Sequence, residues 1–145
     1  MFYSVFLNHE PCYKFHDPEG IYFISFATVF WVDAFVRRIY FDCLVKNLNY
    51  CVDHKGIERY TWCIIPSHVH LVFRSTIQKS EELIRDLKSF TSKKLIALIE
   101  ENQLESRREW LLNSFKKAVR QSQITLKINF GNSIPPNPIM VRTCF

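Results

Sequence analysis

The fold depends on one stretch of the sequence, Ile64-Ile65-Pro66-Ser67-His68-Val69-His70-Leu71-Val72-Phe73. Its pattern predicts a tight turn at the proline that leads into a β-strand. Side chains two residues apart in a strand lie on the same face. We therefore expect the apolar side chains at positions 69, 71 and 73 to face a core. His68 and His70 would then project together from the opposite face.

Two imidazoles on one strand face are a candidate pair of ligands for a divalent cation, because neutral imidazole is a common metal ligand. The alternative interpretation is an ordinary exposed strand that happens to carry two histidines. Taken alone, the pair slightly favours the second interpretation. The elements around the strand are needed to choose between them.

Length and composition indicate one globular domain. The chain has 145 residues, of which 48% are hydrophobic and 23% charged, and this is too much apolar content for a disordered chain. The formal net charge is +5 and the pI about 9.0. A mildly basic balance suits a protein that meets phosphate, although many other proteins share it.

Cysteine usage favours a reducing compartment. The sequence has five cysteines, an odd number, and no Cys-x-x-Cys pair. Cys43, Cys51 and Cys63 fall within apolar periodic segments, where free thiols act as small hydrophobic side chains. The N-terminus lacks the basic and apolar regions of a signal peptide, and no apolar run has transmembrane length. We therefore expect a cytoplasmic protein with no membrane partner.

The order of predicted elements is strand, helix, strand, strand, helix, and then a basic helix and a last strand. The first strand covers residues 21–28, and Asp33 is the predicted cap of a helix that ends at Gly56. A strand over residues 57–65 pairs with the histidine strand as an antiparallel hairpin. Ser80 is the predicted cap of the next helix. A capping box at residues 106–109 opens the basic helix, and residues 125–130 form the last strand.

This order predicts an α+β, ferredoxin-like β-α-β-β-α-β antiparallel sheet with both helices on one face and an extra basic helix. His68 and His70 would then face the open side of the sheet. The domain is predicted over residues 21–130, after a lead-in arm at 1–20 and before an irregular tail at 131–145.

Seven basic side chains on the second and third helices are candidate DNA-phosphate contacts. They are Lys93, Lys94, Arg107, Arg108, Lys116, Lys117 and Arg120. Contacts of this kind give salt-dependent affinity for nucleic acid. The alternative is a solvated helix face, which charge alone does not exclude.

The segment 65–72 resembles the His-hydrophobic-His motif of the IS200/IS605-type transposases, which include the REP-associated tyrosine transposases. The first strand, the helix after Asp33, Trp62 before the motif and the segment 83–93 after it agree with this family. The resemblance covers roughly residues 13–120 and departs from the family at Ser67, where asparagine is usual.

The resemblance implies a ferredoxin-like fold and the cutting and rejoining of single-stranded DNA beside a hairpin during DNA transposition. It also implies that His68 and His70 hold Mg²⁺ or Mn²⁺ together with a third ligand from a later helix. Imidazole is not the usual ligand of Mg²⁺. We therefore expect a mixed site completed by DNA phosphate oxygens and water.

The family's nucleophile is a tyrosine on a helix after the motif, and here the pattern fails. All six tyrosines precede His68, and no histidine follows His70. No catalytic residue is therefore assigned, and a truncated transposase is expected. A homodimer or an intact partner could supply the missing tyrosine. The alternatives are a DNA-hairpin-binding module without chemistry and a non-functional remnant.

The tail suggests how the nucleophile was lost. The segment Ile134-Pro135-Pro136-Asn137-Pro138 permits codons that, read one base later, encode Tyr-His-Pro-Ile. That tetrapeptide resembles the family's usual continuation. We hypothesise a frameshift near residues 121–130, which the nucleotide sequence of the gene would test.

Overall fold

The computed structural model describes Phe15 and residues 17–129, with side chains described as far as Arg120. The described chain is an α+β unit with a three-stranded antiparallel sheet and three helices. The strands are β1 (Tyr22–Ala27), β2 (Ile57–Ile65) and β3 (His68–Ser75), and the helices are α1 (Arg38–Lys55), α2 (Ser80–Glu101) and α3 (Arg108–Asn129). Two short 3₁₀ turns, Val29–Trp31 and Ala34–Val36, connect β1 to α1.

The histidine strand β3 lies between the other two strands, in the order β1-β3-β2. Both pairings are antiparallel, and β2 and β3 form the predicted hairpin. The residues that lie opposite the two histidines form the cross-strand rows Ala27–His68–Ile65 and Ser25–His70–Cys63. Hydrogen bonds on both sides therefore fix the backbone that carries the histidines.

The core lies on the face of β3 that the alternation predicted. Val69, Leu71 and Phe73 are at most 2% exposed and belong to one cluster of buried side chains. Leucines of α1 and α2 supply the helix side of this cluster, and Leu111 and Phe115 of α3 also belong to it. The open face of β3 therefore carries His68 and His70, as expected from the two-residue period.

Gly56 ends α1 as predicted. Its φ is +76°, and its N–H donates to the carbonyl oxygen of Cys51. A Cβ atom at this position would lie 2.6 Å from Cγ1 of Ile77. Both the left-handed backbone and the close contact therefore require glycine.

Two predicted helix caps are wrong. Asp33 precedes the 3₁₀ turn at 34–36 and makes no side-chain cap, and Arg37 holds the cap position of α1. Ser80 lies inside α2, which has Lys79 at its cap position. Ser80 is buried instead, and its hydroxyl has no partner within the described chain. Both errors follow from a shift of a few residues in helix starts, which local sequence defines poorly.

The predicted last strand is also wrong over residues 125–129, which belong to α3. Its residue 130 and the tail at 131–145 lie outside the described residues, as do 1–14 and 16 of the lead-in arm. No glycine or proline occurs between Arg108 and Asn129. Extending an existing helix costs less than starting a new element, so the helix continues through the stretch that resembled a strand.

Phe15 is the part of the lead-in arm whose packing is described. Its ring meets Tyr22 and Phe73 edge-on, with centroid distances of 4.6 and 6.2 Å. Residues 17–20 form a turn closed by a hydrogen bond from the Gly20 N–H to the Asp17 carbonyl. Across the described residues, none of the helices has the length and apolar character that a membrane crossing requires.

Candidate metal and nucleic-acid site

The two histidines lie close enough to share one cation. Their ring centroids are 5.6 Å apart, with 64° between the ring planes. A cation about 2.1 Å from one nitrogen of each ring would leave the centroids at most about 6.5 Å apart. The observed separation falls within that limit, so the spacing of the two rings is compatible with a shared ion.

His68 is oriented by its neighbour in the chain. Its Nδ1 lies 2.7 Å from the hydroxyl oxygen of Ser67. When Nδ1 carries the ring proton it donates to this hydroxyl, and Nε2 then keeps a free lone pair for a metal ion. The ring of Trp31 meets His68 edge-on at 4.8 Å between centroids, so two contacts fix the orientation of the imidazole.

His70 has an environment that favours a neutral ring with a free nitrogen. Burial, and the positive charge of His68 when it is protonated, lower the pKa of His70 below its usual value of 6.5. The ring of Phe23 stacks on it at 5.9 Å with 8° between the planes. Its Nδ1 is buried and has no hydrogen-bond partner within the described chain. An unsatisfied buried nitrogen of this kind costs about 1–3 kcal/mol, which a bound ligand would offset.

The aromatic loop (residues 28–35) lies beside His68 and has an unusual backbone. Phe30 and Trp31 both have φ of +54°, a conformation that costs a non-glycine residue about 1–2 kcal/mol. Their side chains are 46% and 59% exposed. Burial of these two rings therefore does little to offset the strain of their backbone.

The aromatic loop is held against the turn that starts β3. Thr28 is fully buried, its N–H donates to the Ser67 carbonyl at 2.9 Å, and its hydroxyl lies 2.6 Å from the Val32 carbonyl. Farther along, the Phe35 N–H donates to the Pro66 carbonyl at 2.9 Å. The loop and the histidine strand therefore form one rigid unit.

Of the seven predicted DNA-binding residues, Lys117 lies beside an exposed ring of this unit. Its Nζ lies 5.9 Å from the ring centroid of Phe30, where α3 packs against the first 3₁₀ turn. Arg120 follows three residues later, on the same side of α3, and is exposed. Lys116 is half-buried on the same helix.

Of the other four predicted DNA-binding residues, Arg107 contacts the backbone of the aromatic loop, and three lie elsewhere. Lys93 and Lys94 are on α2, with Nζ of Lys94 4.7 Å from the centroid of Phe90. Because α2 covers the core face, the sheet separates these lysines from the histidines. Arg107 donates to the Asp33 carbonyl at 3.3 Å. The guanidinium of Arg108 donates to the Glu100 carbonyl and to the side-chain oxygen of Gln103.

Sequence reasoning missed a buried ion cluster formed by Arg37, Glu105 and Arg107. The carboxylate of Glu105 has no exposed surface. It accepts hydrogen bonds from the Arg37 guanidinium and, at 3.1 Å, from the Arg107 backbone N–H. Burial raises the pKa of Glu105, but the arginine hydrogen bonds and charges outweigh burial, so the pKa is below its usual 4.5. The cluster ties the start of α1 to the loop before α3.

The described tyrosines are engaged away from the histidines. The Tyr22 hydroxyl donates to the Asp17 carbonyl, and Tyr40 is buried, accepting from Asn102 at 3.2 Å. Tyr50 stacks on His54, and Tyr60 donates to Glu58 at 3.3 Å. Tyr3 and Tyr13 lie outside the described residues.

A third protein ligand for the cation is not found among the described residues, which contain no group of three or more histidine, cysteine or acidic side chains arranged to hold a metal ion. The two imidazoles nevertheless fit a shared cation by their separation, and the lowered pKa and unpaired Nδ1 of His70 favour a neutral ligand there. The remaining coordination positions would belong to water and ligand oxygens.

The aromatic surroundings of the histidines were also missed. The sequence predicts Phe23 only as part of the first strand, and it gives Phe30 and Trp31 no role. One signal was available: the run Val29-Phe30-Trp31 is apolar but fits neither the strand nor the helix that flanks it.

Comparisons with known proteins do not place the chain in a family. No protein-family model, no curated protein and no solved structure matches it. The functional case therefore rests on the resemblance of the histidine motif and on the geometry of the open sheet face.

Proposed function

We propose that this chain is a relative of the IS200-type transposases that binds single-stranded or hairpin DNA and holds Mg²⁺ or Mn²⁺ on His68 and His70. It lacks a nucleophilic tyrosine after the motif. One observation carries the proposal: both histidines lie on the open face of the central strand, and a buried nitrogen of His70 has no partner within the described chain.

The proposed fold is ferredoxin-like. The β1-β3-β2 order and the antiparallel pairings support it, since both are required of the first three strands in that arrangement. Helices α1 and α2, which both pack on the core face of the sheet, support it as well. The fourth strand of the pattern does not occur within residues 17–129.

The chain's own residues prepare a site for a cation and a phosphate. A bound cation would supply Lewis acidity, which polarises a phosphate ester and stabilises charge on its oxygens. Ser67 and Trp31 orient His68, while burial lowers the pKa of His70 and so favours its neutral ring. With two protein ligands in the described part of the chain, cation affinity depends on DNA phosphate oxygens, so metal binding and DNA binding reinforce each other.

The second candidate function is a DNA-hairpin-binding module without chemistry. Lys117 and Arg120 favour it, because they place positive charge beside the aromatic loop without requiring a metal ion. A homodimer or an intact relative that donates a tyrosine would convert this module into a cleaving complex.

Manganese binding tests the metal site. We expect Mn²⁺ to bind, by electron paramagnetic resonance, far more tightly when hairpin DNA is present. The double variant His68→Ala, His70→Ala should lose this binding. The matched control His54→Ala removes an exposed histidine of α1 and should retain it. Equal Mn²⁺ binding by the double variant and the parent would contradict the metal site.

Incubation with labelled hairpin DNA and Mn²⁺ tests the missing nucleophile. We expect a complex that a denaturing gel disrupts, with no covalent protein–DNA adduct. An adduct that disappears in His68→Ala would mean that the chain does contain a nucleophile. Absence of any complex would favour the non-functional remnant.

A further inference from the structure

We propose that Phe30 and Trp31 form a stacking surface for an unpaired nucleic-acid base next to the histidine pair. The choice of nucleic acid as the ligand rests on the proposed function. The stacking surface itself uses other residues and needs no metal ion, so its failure and that of the metal site can be told apart.

The first argument is the exposure of two adjacent aromatic side chains in a strained backbone. Phe30 and Trp31 are 46% and 59% exposed, and both have φ of +54°. Strained conformations persist where the surrounding structure fixes them, and they concentrate at ligand sites. A folded chain has no need to strain its backbone in order to leave two large rings in water.

The second argument is rigidity. Thr28 and Phe35 bracket the loop with backbone hydrogen bonds to the Ser67 and Pro66 carbonyls. The tryptophan ring meets His68 edge-on, with 87° between the planes, so at least one face of the indole is free of His68. A ring held in place in advance loses little conformational entropy when a base stacks on it.

The third argument is charge complementarity. Nζ of Lys117 lies 5.9 Å from the ring centroid of Phe30, and exposed Arg120 follows on the same side of α3. Aromatic rings that stack bases, combined with cations that track the backbone, are the usual composition of a single-strand binding surface. A flat apolar peptide surface would gain nothing from these cations.

The position of the surface gives it a role. Because Trp31 contacts His68, a base stacked on the indole would hold the adjoining phosphate beside the histidine pair. Phe30 and Trp31 are therefore positioning residues that would fix the register of the strand on the open face.

Binding to a short deoxythymidine oligomer in EDTA tests the proposal. Trp31→Ala should weaken binding roughly tenfold, as expected for the loss of one stacked base. Trp31→Phe should largely retain affinity. The matched control Trp110→Ala removes a comparably exposed indole of α3, 55% exposed, and should bind as the parent does. An affinity unchanged in Trp31→Ala, or no binding by the parent, would overturn the proposal.

An abasic oligomer of the same length separates stacking from charge. Trp31→Ala should leave its affinity unchanged, whereas Lys117→Ala should weaken both oligomers. A loss on the abasic oligomer equal to that on the deoxythymidine oligomer would overturn base stacking. A blunt duplex should also be insensitive to Trp31→Ala, because its bases are already stacked.

A variant that keeps Trp31 as its single tryptophan tests the proposal without removing the indole ring. Trp62→Phe and Trp110→Phe leave the indole of Trp31 as the fluorescent reporter. The deoxythymidine oligomer should quench and shift its emission, and the abasic oligomer should not. Loss of Mn²⁺ binding in the double histidine variant, with this quenching retained, would separate the two sites. Unchanged emission at saturating oligomer would overturn the proposal.

Discussion

The two sides of the sheet differ in how their buried polar groups are paired. On the helix-covered side, Glu105 is buried and accepts hydrogen bonds from Arg37 and Arg107, and buried Asn47 donates to buried Thr91 at 3.2 Å. On the open side, Nδ1 of His70 is buried and has no partner within the described chain. The helix-covered side has an exception in Ser80, whose buried hydroxyl also has no partner within the described chain. The paired groups hold elements together, whereas the unpaired nitrogen of His70 lies beside the partly exposed ring of Phe23.

The difference matters because burial without a partner is costly. A polar group that holds the fold together can be satisfied permanently, but a group that binds a ligand must be free before the ligand arrives. The unpaired nitrogen of His70, on a strand face that also carries His68, therefore marks the open face as a candidate binding surface on physical grounds, apart from any resemblance of the sequence.

Leu71→Ala should give the largest change in stability. Leu71 is fully buried in the central strand, so the truncation removes apolar burial and leaves a cavity. We expect the free energy of unfolding to fall by about 3 kcal/mol in chemical denaturation.

A matched pair of substitutions sharpens the contrast between the faces. Val69 lies on the core face of β3 and Val72 on its open face, and each is replaced by alanine. We expect a loss of about 2 kcal/mol for Val69→Ala and less than about 1 kcal/mol for Val72→Ala. Equal losses would mean that the two faces are buried alike.

Glu105→Gln should give an intermediate effect. It keeps the shape of the side chain but removes the charge between two arginines. Breaking a fully buried ion pair costs about 3–5 kcal/mol, but Arg37 and Arg107 are 41% and 35% exposed, so we expect about 2 kcal/mol at neutral pH. The control Glu58→Gln breaks a surface pair with Arg74 and should change the free energy of unfolding much less than Glu105→Gln does.

The acid dependence of unfolding checks the same cluster. The pKa of Glu105 in the folded protein is below 4.5. Its carboxylate therefore contributes fully to the free energy of unfolding above pH 4.5, and this contribution is lost as the pH falls through the folded pKa. The parent should therefore lose stability faster than Glu105→Gln below pH 4.5. Parallel pH profiles would contradict the role of the carboxylate.

His70→Ala should give the smallest effect, a change of less than about 1 kcal/mol in the free energy of unfolding at neutral pH. The substitution removes packing, but it also removes a buried nitrogen that has no partner within the described chain. Since the folded pKa of His70 is below 6.5, the unfolded chain binds its proton first as the pH falls. The parent should therefore lose stability from pH 6.5 downward through the folded pKa. His70→Ala should lack this slope, and His54→Ala should keep it.

Local patterns predicted the parts of the structure that depend on near neighbours. The alternation in β3, the antiparallel hairpin and the helix end at Gly56 are confirmed. The caps at Asp33 and Ser80 and the strand over residues 125–129 are wrong. In those places two local structures were compatible with the residues, and the context outside the segment selected one of them.

The candidate site also combines a feature that local sequence predicts with features that depend on tertiary contacts. His68 and His70 were predicted to share a face because the two-residue period of a strand fixes that relation within three residues of chain. Trp31 and Phe23 reach the histidines only because β1 and the aromatic loop pack against β3. The ion cluster joins Arg37 to Glu105, 68 residues apart in the chain.

The sequence by itself determined the alternating strand, the pair of histidines on one face and the absence of a tyrosine after them, because periodicity and composition are local properties. Only the tertiary structure decided which rings and cations surround that pair, that one of its nitrogens is buried without a partner in the described chain, and that Arg107 and Arg108 hold the fold together. Those outcomes depend on contacts between distant segments, which arise when the sheet and helices pack.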